Sequence, residues 1–282
     1  MNILVLGATG LIGNSVYTHL KKKHNVFGTF KNKKKIKKII YKKKNLFYFD
    51  ASNHQKLNII LDKTNPEIVI NCIGITKHIK GATKKKLFKI NALFPHFAKK
   101  ISNDRFAKFI QISTDCVFDG KKGNYNEKSK PNAVDVYGKS KALGEINDNN
   151  NLTIRTSTIG HELLTSYGLL NWFLNQDSKC DGFSKAIFNG FPTVYFAKIL
   201  EKILLKKITG ILHVSGVKIS KYRLLKKINK IYNKNITIKK NTTIKIDRSL
   251  NNKLFNSYFP RQKKNWDWLI NNMKKEYGKN TF

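Results

Sequence analysis

Residues 2–13, NILVLGATGLIG, place a run of apolar residues directly before a glycine-rich turn. The run NILVL has the aliphatic composition of a buried strand, and the residues after the turn have that of a helix. Gly7, Gly10 and Gly13 fall where a tight turn, a ligand close to the backbone and a helix packed on a strand leave no room for a side chain. Because the N–H groups at a helix N-terminus bind phosphates, the segment predicts a turn that holds the pyrophosphate of a dinucleotide.

The rest of the first half repeats this alternation of strand and helix. Strands are predicted at residues 2–7, 25–30, 45–50, 67–74, 108–114 and 152–157, and helices at 11–22, 53–63, 84–101 and 135–147. Strands separated by helices indicate right-handed crossovers and a parallel sheet that is covered on both faces. The sequence therefore predicts an α/β fold, a Rossmann-type doubly wound parallel sheet, over residues 1–160.

The second part of the chain has a looser pattern. Helices are predicted near residues 162–176, 193–207, 220–232 and 265–275, with one clear strand, GILHVSG, at 210–216. No linker, repeat or long low-complexity tract separates the two parts. We therefore expect residues 161–282 to form a smaller, mostly helical substrate-binding part that packs directly on the first.

Length and composition place the chain among ordinary globular proteins. It has 282 residues, of which 40% are hydrophobic, enough to bury a substantial core. No apolar run approaches the length that spans a bilayer, and the apolar start lacks the basic leader of a signal peptide, so no membrane partner and a cytoplasmic location are expected. Cys72, Cys116 and Cys180 form no Cys-x-x-Cys pair, and the seven histidines lack metal-ligand spacing. Reduced thiols and no metal are therefore expected.

The formal net charge of +38 raises the hypothesis of nucleic-acid binding. Lysine supplies nearly all of the excess, whereas recognition of bases and bidentate recognition of phosphate depend mainly on arginine. The lysines are also spread along the whole chain and form no single stripe. The pattern therefore favours a solvated lysine surface with no specific nucleic-acid partner, and its positive field would gather anionic small-molecule substrates.

The region after the second strand bears on the choice of dinucleotide. NAD sites usually keep an acidic residue there for the ribose 2′-hydroxyl, but residues 28–35, GTFKNKKK, contain none. Lys31, Lys33 and Lys34 would instead meet a 2′-phosphate, which favours NADPH and leaves NADH as the alternative. Asp50, at the end of the third strand, would accept a hydrogen bond from adenine or cap the next helix. The cofactor-binding candidates of this half are Gly7, Thr9, Gly10, Leu11, Ile12, Gly13, Lys31 and Asp50.

A tyrosine and a lysine four residues apart, Tyr137 and Lys141, are the candidate catalytic pair. The same spacing occurs at Tyr17/Lys21 and Tyr222/Lys226, so the spacing alone carries little information. Thr114 ends the fifth strand, and strand ends face the ligand crevice in a doubly wound sheet. The helix with Tyr137 and Lys141 follows directly, and this context singles out the pair.

With these residues in place, the sequence resembles the extended short-chain dehydrogenase/reductases, and within them the dTDP-4-dehydrorhamnose reductase-like branch. The resemblance covers residues 1 to about 160 and is looser beyond. It is carried by the segments GATGLIG, VINCIGIT, KINALFP, ISTDCVFDG, YNEKSKP, VYGKSKALGE and IRTS, and in the second part by FPTVYFAKIL, GILHVSG and IDRSLNN.

The resemblance implies roles for individual residues. Tyr137 would protonate a carbonyl oxygen as hydride arrives from the nicotinamide, and Thr114 would hydrogen-bond the same oxygen. Lys141 would lower the pKa of Tyr137 and hold the nicotinamide ribose. The residues that would line the cofactor are Cys72, Ile73, Gly74 and Asn91, together with Tyr137 and Lys141. Those that would contact the substrate are Thr114, Asp115, Cys116, Tyr137 and Arg248.

The sequence also departs from the pattern of this branch. Cys116 stands where the rhamnose reductases usually carry Tyr and the related 4,6-dehydratases a Glu, which argues against dehydration. GDP-fucose synthases use a cysteine at about this position, so Cys116 could serve as an acid/base in epimerisation or be a small buried residue. Thr158 replaces a frequent tryptophan of the sugar pocket. Arg248 suits the nucleotide diphosphate, and a structural ion pair is the alternative.

The leading hypothesis is an NADPH-dependent reductase of a 4-keto-6-deoxy sugar nucleotide, which would supply a deoxysugar for surface polysaccharide. One alternative is an epimerase-reductase that uses Cys116. Another is a non-catalytic NADP-binding regulatory subunit, because some relatives of this branch keep the fold and the cofactor in that role. The intact set of Thr114, Tyr137 and Lys141 argues against a pure binder. The expected partner is the nucleotide-sugar substrate, and a homodimer is the assembly to test first.

Overall fold

The computed structural model describes residues 1–36, 45–76, 81–163, 165–260 and 264–279. The side chain of Lys34, one of the lysines expected near a 2′-phosphate, lies outside the described residues. The strands are β1 (Asn2–Leu6), β2 (Asn25–Phe30), β3 (Leu46–Tyr48), β4 (Ile68–Asn71), β5 (Lys108–Thr114), β6 (Leu152–Thr156), β7 (Thr158–Ile159), β8 (Lys179–Phe183), β9 (Ala186–Phe188), β10 (Phe191–Pro192), β11 (Gly210–Val214), β12 (Ile219–Ser220), β13 (Thr237–Asn241) and β14 (Ile246–Asp247).

Helices connect most of these strands. They are α1 (Leu11–Leu20), α2 (Lys33–Ile36), α3 (Gln55–Thr64), α4 (Lys84–Phe88), α5 (Phe94–Asn103), α6 (Val136–Leu143), α7 (Leu169–Leu174), α8 (Thr193–Leu204), α9 (Lys221–Ile231), α10 (Lys253–Tyr258) and α11 (Trp266–Lys279). A π-helix, Lys89–Leu93, joins α4 to α5, and a 3-10 helix, Asp115–Val117, follows β5.

A seven-stranded parallel sheet with the order β11-β6-β5-β4-β1-β2-β3 forms the centre of the molecule. The strand order reverses between β1 and β4, since the chain runs outward from β1 in one direction and from β4 in the other. In such sheets ligands bind in the crevice at this switch point, outside the carboxyl ends of the strands. The predicted Rossmann-type α/β fold is confirmed.

Apolar side chains alternate between the two faces of this sheet. Ile3 and Val5 of β1 belong to one buried cluster, which includes residues of α1, α8 and α11. Leu4 and Leu6 belong to another, which includes residues of α3 and α5. Because strands covered on both faces are apolar throughout, the continuous run ILVL is explained by burial on each side.

The second part of the chain differs from the expectation of one strand among helices. The strand expected there, β11, pairs with β6 in parallel and so completes the large sheet. Short strands also form two-stranded and three-stranded sheets that involve β8, β9, β12, β13 and β14. They are two to five residues long, and β8, β13 and β14 contain charged residues, so these strands show no clear alternating pattern in the sequence. The division of the chain near residue 160 stays a prediction.

Three helix predictions were clearly too long, and the first of them, at 135–147, corresponds to α6, which ends at Leu143. The helix predicted at 84–101 is interrupted by the π-helix between α4 and α5. The helix predicted at 162–176 is limited to α7, because Glu162 and Asn171 hydrogen-bond the preceding loop: a carboxylate oxygen of Glu162 accepts from N–H of Gly168 and the Asn171 amide donates to Thr165 O. Within the described ranges, no helix combines the length and the apolar character needed to cross a membrane.

Candidate active site

The glycine turn between β1 and α1 has the geometry that the sequence predicted. Gly7 has a φ of +79°, a conformation that side chains strongly disfavour. A Cβ at Gly13 would collide with the carbonyl oxygen of Gly7, so the first turn of α1 packs directly on the backbone of the preceding turn. Gly10, the N-cap of α1, has no side chain to cover the first helical N–H groups. This side-chain-free cradle fits the pyrophosphate of a dinucleotide.

The cradle is joined to the two neighbouring strand ends. N–H of Gly7 donates to Thr29 Oγ1 at 2.9 Å, and N–H of Ala8 donates to Thr29 O at 2.8 Å. A Cβ at Gly7 would lie 3.0 Å from Cγ1 of Ile73, just beyond β4. The turn therefore lies between the ends of β2 and β4, at the switch point of the sheet.

The two polar cofactor candidates near β2 and β3 contact each other. Lys31 Nζ lies 2.7 Å from Asp50 Oδ2, and both side chains are partly exposed, 58% and 28%. N–H of Ser52 donates to Asp50 Oδ1 at 3.0 Å. Burial acts to raise the pKa of Asp50, but the hydrogen bonds from Lys31 and Ser52 outweigh it and the pKa is lowered. Lys31 is thus oriented, and the side chain of Lys33, two residues further along the chain, is exposed.

Tyr137 and Thr114 meet at the carboxyl end of β5. Asp135 is the N-cap of helix α6, and its carboxylate accepts from N–H of Gly138 at 2.7 Å. A Cβ at Gly138 would collide with the carbonyl oxygen of Cys116, so only glycine lets α6 approach the 3-10 helix. Tyr137, on the first turn of α6, is consequently a neighbour of the Thr114 side chain, which acts to lower the pKa of Tyr137.

The pKa of Tyr137 is raised above its ordinary value, which differs from the expectation of a pKa lowered by Lys141. Burial is the largest cause, and the nearby Cys116 thiol adds to it, while Thr114 acts in the opposite direction. The phenol therefore keeps its proton at neutral pH. Thr114 Oγ1 donates to Asp115 Oδ1 at 3.1 Å and accepts from N–H of Cys116 at 3.1 Å. Burial also raises the pKa of Asp115.

Lys141 is buried one helical turn after Tyr137. Its side chain Nζ donates to Ile112 O at 2.8 Å, and the residue is 5% exposed. Burial lowers the pKa of Lys141 to about 8, against the charges of Glu145 and Cys72, which raise it. Burial likewise raises the pKa of the Cys72 thiol to about 12, although the Lys141 charge opposes it. A Cβ at Gly74 would lie 3.9 Å from Lys141 Nζ, which places the ammonium against the segment after β4.

Asn91, expected to line the cofactor, holds that segment in place. Its amide oxygen accepts from N–H of Ile75 at 2.9 Å, and its amide nitrogen donates to Ile75 O at 2.9 Å. The same nitrogen donates to Ser140 Oγ on α6 at 3.1 Å. Asn91 is fully buried on the π-helix, so its side chain connects the segment after β4 with α6.

The structure brings Arg248 to the same end of the sheet. Arg248 follows β14, and its Nε donates to Phe118 O at 2.7 Å. Its Nη1 lies 3.8 Å from Cys116 Sγ, and its Nη2 lies 3.8 Å from Asp135 Oδ2. The substrate candidates Thr114, Asp115, Cys116, Tyr137 and Arg248 are therefore neighbours. The ion-pair alternative for Arg248 has a partner in Asp135.

His161, just after β7, has aromatic partners in the second part of the chain. His161 stacks on Tyr277 with ring centroids 3.6 Å apart and its Nε2 lies 2.8 Å from the Tyr232 hydroxyl. Burial lowers the pKa of His161 to about 4. Across the described part of the chain, no group of three or more His, Cys, Asp or Glu side chains is arranged to hold a metal ion.

The buried ion pair between Arg155 and Glu145, which lies next to Ser113 on β5, was not identified from the sequence. Arg155 on β6 donates through Nε and Nη2 to the two carboxylate oxygens of Glu145 at 2.9 and 2.7 Å. Ser113 Oγ donates to Glu145 Oε1 at 2.7 Å. An arginine in the middle of a strand that otherwise has the composition of the core was the available signal.

Comparisons with known proteins agree with this geometry. Residues 1–253 match the RmlD substrate binding domain family, and the chain belongs to that family. A probable low-salt glycan biosynthesis reductase of Haloferax volcanii is 30% identical over 149 residues, 51% of this chain and 48% of the relative. The methionine adenosyltransferase 2 subunit beta of Danio rerio is 29% identical over 51% of this chain and 42% of its own. The chain thus matches about half the length of these curated relatives.

Solved structures match over nearly the whole chain. A hypothetical dTDP-4-dehydrorhamnose reductase from Sulfolobus tokodaii is 26% identical with a TM-score of 0.80 and covers 95% of this chain and 98% of its own. A dTDP-4-dehydrorhamnose reductase from Bacillus anthracis in complex with NADP is 20% identical with a TM-score of 0.80, over 97% of this chain and 98% of its own. The latter likeness establishes the fold.

Proposed function

We propose that this chain is an NADPH-dependent reductase of a 4-keto-6-deoxy sugar nucleotide, in the synthesis of a deoxysugar for surface polysaccharide. The observation that carries the proposal is that the Tyr137 phenol and the Thr114 side chain are neighbours at the carboxyl end of β5, where Thr114 acts on the pKa of Tyr137. The buried Lys141 ammonium lies one turn further along α6. A pure binding protein has no need of a proton donor and a hydrogen-bonding hydroxyl at the same place.

The residues at the switch point suit a dinucleotide. Gly7, Gly10 and Gly13 would hold the pyrophosphate, with Thr9 in the same turn and Leu11 and Ile12 at the start of α1. Lys31 would meet the 2′-phosphate of NADPH. NADH is the alternative cofactor. The segment of Cys72, Ile73 and Gly74, fixed by Asn91, would line the site toward Lys141. When bound, NADPH supplies the hydride for reduction of a carbonyl group.

The chain's own residues would handle the proton. Tyr137 holds its proton because burial raises its pKa, and it would donate this proton to the carbonyl oxygen as the alcohol forms. Thr114 would hydrogen-bond the same oxygen and orient it. The positive Lys141 would stabilise the phenolate that remains and bind the ribose hydroxyls. The phenolate would then recover a proton from water.

Relatives support two versions of this proposal. The Haloferax relative is named a reductase of glycan biosynthesis, and a relative from Aggregatibacter actinomycetemcomitans, 30% identical over 34% of this chain, is named a dTDP-4-dehydrorhamnose reductase. The Danio rerio relative is named a subunit of another enzyme, which favours a non-catalytic regulatory subunit as the alternative. The complete set of Thr114, Tyr137 and Lys141 favours the reductase.

Turnover separates these versions. Purified protein is supplied with NADPH and with each of several 4-keto-6-deoxy sugar nucleotides, and loss of NADPH absorbance is followed. The reductase predicts oxidation with at least one substrate. NADPH binding without oxidation by any of them would contradict the reductase and favour the regulatory subunit.

A second candidate function, epimerisation before reduction, has one observation in its favour. Arg248 Nη1 lies 3.8 Å from Cys116 Sγ, and a neighbouring guanidinium favours the thiolate form of cysteine. The Cys116 thiolate would remove a proton from the carbon beside the keto group. A second, protonated acid would return a proton to the opposite face of the same carbon. Epimerisation predicts uptake of solvent deuterium at carbon in the product, and Cys116→Ser would suppress that uptake. A product without deuterium at carbon would exclude it.

A further inference from the structure

Arg248 places a guanidinium beside the candidate catalytic residues. Within the described residues, its one short hydrogen bond is the one that Nε donates to Phe118 O at 2.7 Å. Nη1 lies 3.8 Å from Cys116 Sγ, and Nη2 lies 3.8 Å from Asp135 Oδ2. A guanidinium that is hydrogen-bonded to a carboxylate has N–O distances of about 2.7–2.9 Å. The contact with Asp135 is therefore an ion pair without a short hydrogen bond, and the guanidinium keeps N–H groups for another acceptor.

The backbone around Arg248 is fixed by the loop that follows the 3-10 helix. N–H of Asp247 donates to Gly120 O at 2.7 Å, and N–H of Tyr125 donates to Ser249 O at 2.9 Å. A Cβ at Gly120 would lie 2.9 Å from Cγ of Arg248, so the aliphatic stem of the arginine packs on the backbone of this loop. Because the stem and Nε are both held, the direction of the guanidinium is set before any ligand binds.

The same segment is also bonded to the second part of the chain. The Asn189 amide nitrogen donates to Leu250 O at 2.8 Å, and its amide oxygen accepts from N–H of Leu250 at 3.2 Å. Ser215 Oγ donates to the same carbonyl oxygen at 2.9 Å, and all three residues are buried. The segment is thus bonded on both sides of Arg248, and we expect the guanidinium to stay in place when a ligand binds.

Asp135 uses its two carboxylate oxygens for different contacts. Oδ1 accepts from N–H of Gly138 at 2.7 Å and so caps α6, while Oδ2 faces Arg248. The Arg248 side chain is only 15% exposed, and a guanidinium buried to this degree costs stability without a counter-charge. Asp115 also interacts electrostatically with Arg248, but burial raises the pKa of Asp115 and favours its neutral form. Asp135 is therefore the carboxylate that neutralises Arg248 in the free protein.

We propose that Asp135 is a built-in competitor for the anionic group of the substrate: its carboxylate pairs with Arg248 in the free protein, and a phosphate group of the substrate takes its place. A phosphate can pair with a guanidinium through two short hydrogen bonds, which the 3.8 Å contact with Asp135 does not provide. After the exchange Oδ1 of Asp135 still caps α6. That the anion is the diphosphate of a sugar nucleotide rests on the proposed function.

The competition has a consequence that depends on ligand charge. The negative charge of Asp135 opposes any anion at Arg248, and a Coulomb energy is proportional to the charge of the ligand. Removal of the Asp135 charge should therefore strengthen the binding of a nucleoside diphosphate most, that of a monophosphate less, and that of the uncharged nucleoside not at all. A residue that only held α6 in shape would affect all three ligands alike.

The test measures nucleotide binding to the full chain by calorimetry, with NADP⁺ present in excess so that the cofactor site is occupied. The probes are thymidine, uridine and guanosine with their mono- and diphosphates, because Arg248 would bind the phosphates whatever the base. In Asp135→Asn the diphosphate that binds should gain about two- to fivefold in affinity, the scale of a partly exposed ion pair. Asparagine caps helices as well as aspartate does, so the melting temperature should stay within about 2 °C.

Two further variants isolate the charge at this site. Asp62→Asn is the matched control, because Asp62 pairs with another arginine, Arg105, at 2.8 Å at the amino end of β5, and the same change of net charge there should leave every affinity unchanged. Arg248→Met should weaken diphosphate binding about tenfold or more. In that background Asp135→Asn should lose most of its gain, since the guanidinium for which the two anions compete is absent.

The outcomes separate this proposal from the reductase. A gain that follows ligand charge in a protein that reduces no keto sugar would support the competition and contradict the reductase. An active reductase in which Asp135→Asn changes neither diphosphate affinity nor the KM of the sugar nucleotide would overturn the competition alone. The competition is also overturned if the nucleosides gain as much as the diphosphates, or if no diphosphate binds to either protein.

Discussion

The ammonium nitrogen of Lys31 lies 2.7 Å from a carboxylate oxygen of Asp50, which joins the carboxyl ends of β2 and β3. The sequence had suggested separate cofactor contacts for the two residues, a 2′-phosphate for Lys31 and adenine for Asp50. The contact between them gives Asp50 a second role, that of orienting the lysine. It also restrains a long side chain that would otherwise lose conformational entropy when a phosphate binds.

The first prediction concerns the choice between NADPH and NADH. Lys31→Ala should weaken NADPH binding about tenfold, as expected for one charge-assisted hydrogen bond at a partly exposed site. NADH affinity should change little, because NADH has no 2′-phosphate. Both affinities are measured by quenching of protein fluorescence. Lys63→Ala, which removes an exposed lysine at the end of α3, is the control. Equal losses of NADPH and NADH affinity would show that Lys31 does not bind the 2′-phosphate.

The second prediction concerns the proton donor. Tyr137→Phe should reduce turnover about 100-fold or more, because a positioned acid contributes on this scale, while NADPH affinity stays within a few-fold. Tyr222→Phe is the matched control, since Tyr222 has the same spacing to a lysine but lies on α9. Steady-state NADPH oxidation and cofactor titration are the measurements. Near-normal turnover of Tyr137→Phe would assign the proton to another group.

The large sheet could be predicted because its strands carry their own signal. The runs in β1, β4 and β5 contribute buried apolar residues to both faces, as burial between two helix layers demands. The short strands β8 and β13 could not be predicted. Their sequences, KCDGF and TIKKN, hold charged residues, and their pairing depends on where the second part packs.

The candidate site also contains some contacts that the sequence could predict and others that it could not. Thr114 and Tyr137 could be placed together because strand ends share one edge of the sheet. The contact of Arg248 with Cys116 could not, because 132 residues separate them and only the folded second part brings them together. The raised pKa of Tyr137 also escaped prediction, since it results from burial rather than from the neighbouring lysine.

The third prediction concerns the glycine turn. Gly13→Ala should destabilise the protein by about 2 kcal/mol and weaken NADPH binding, because the new Cβ would collide with the Gly7 carbonyl oxygen and displace the cradle. Gly278→Ala, where the added Cβ meets nothing within 4 Å in helix α11, is the control and should stabilise by up to about 1 kcal/mol. Urea unfolding and cofactor titration check both. A Gly13→Ala protein with full affinity would contradict this packing.

The fourth prediction concerns stability in acid. His213 is fully buried, and burial, with the Arg155 charge, lowers its pKa to about 3 from an ordinary value of 6.5. Between pH 3 and pH 6.5 the unfolded chain binds a proton at His213 that the folded protein does not bind. The free energy of unfolding therefore rises with pH in this window. It should fall by up to about 1.4 kcal/mol per pH unit as the pH decreases from 6.5 toward 4. His161, with a pKa lowered to about 4, adds to the effect.

A His213→Gln variant separates the two histidines. Glutamine has a donor and an acceptor but does not titrate, so the variant should have a pH slope smaller by about one proton over this window. His96→Gln, at an exposed histidine on α5, is the matched control and should keep the slope of the unchanged protein. Urea unfolding at a series of pH values from 7 to 4 measures the slopes. If His213→Gln retains the full slope, another group takes up the proton. His213 would then not be the neutral hydrogen-bond acceptor of Arg155 Nη1.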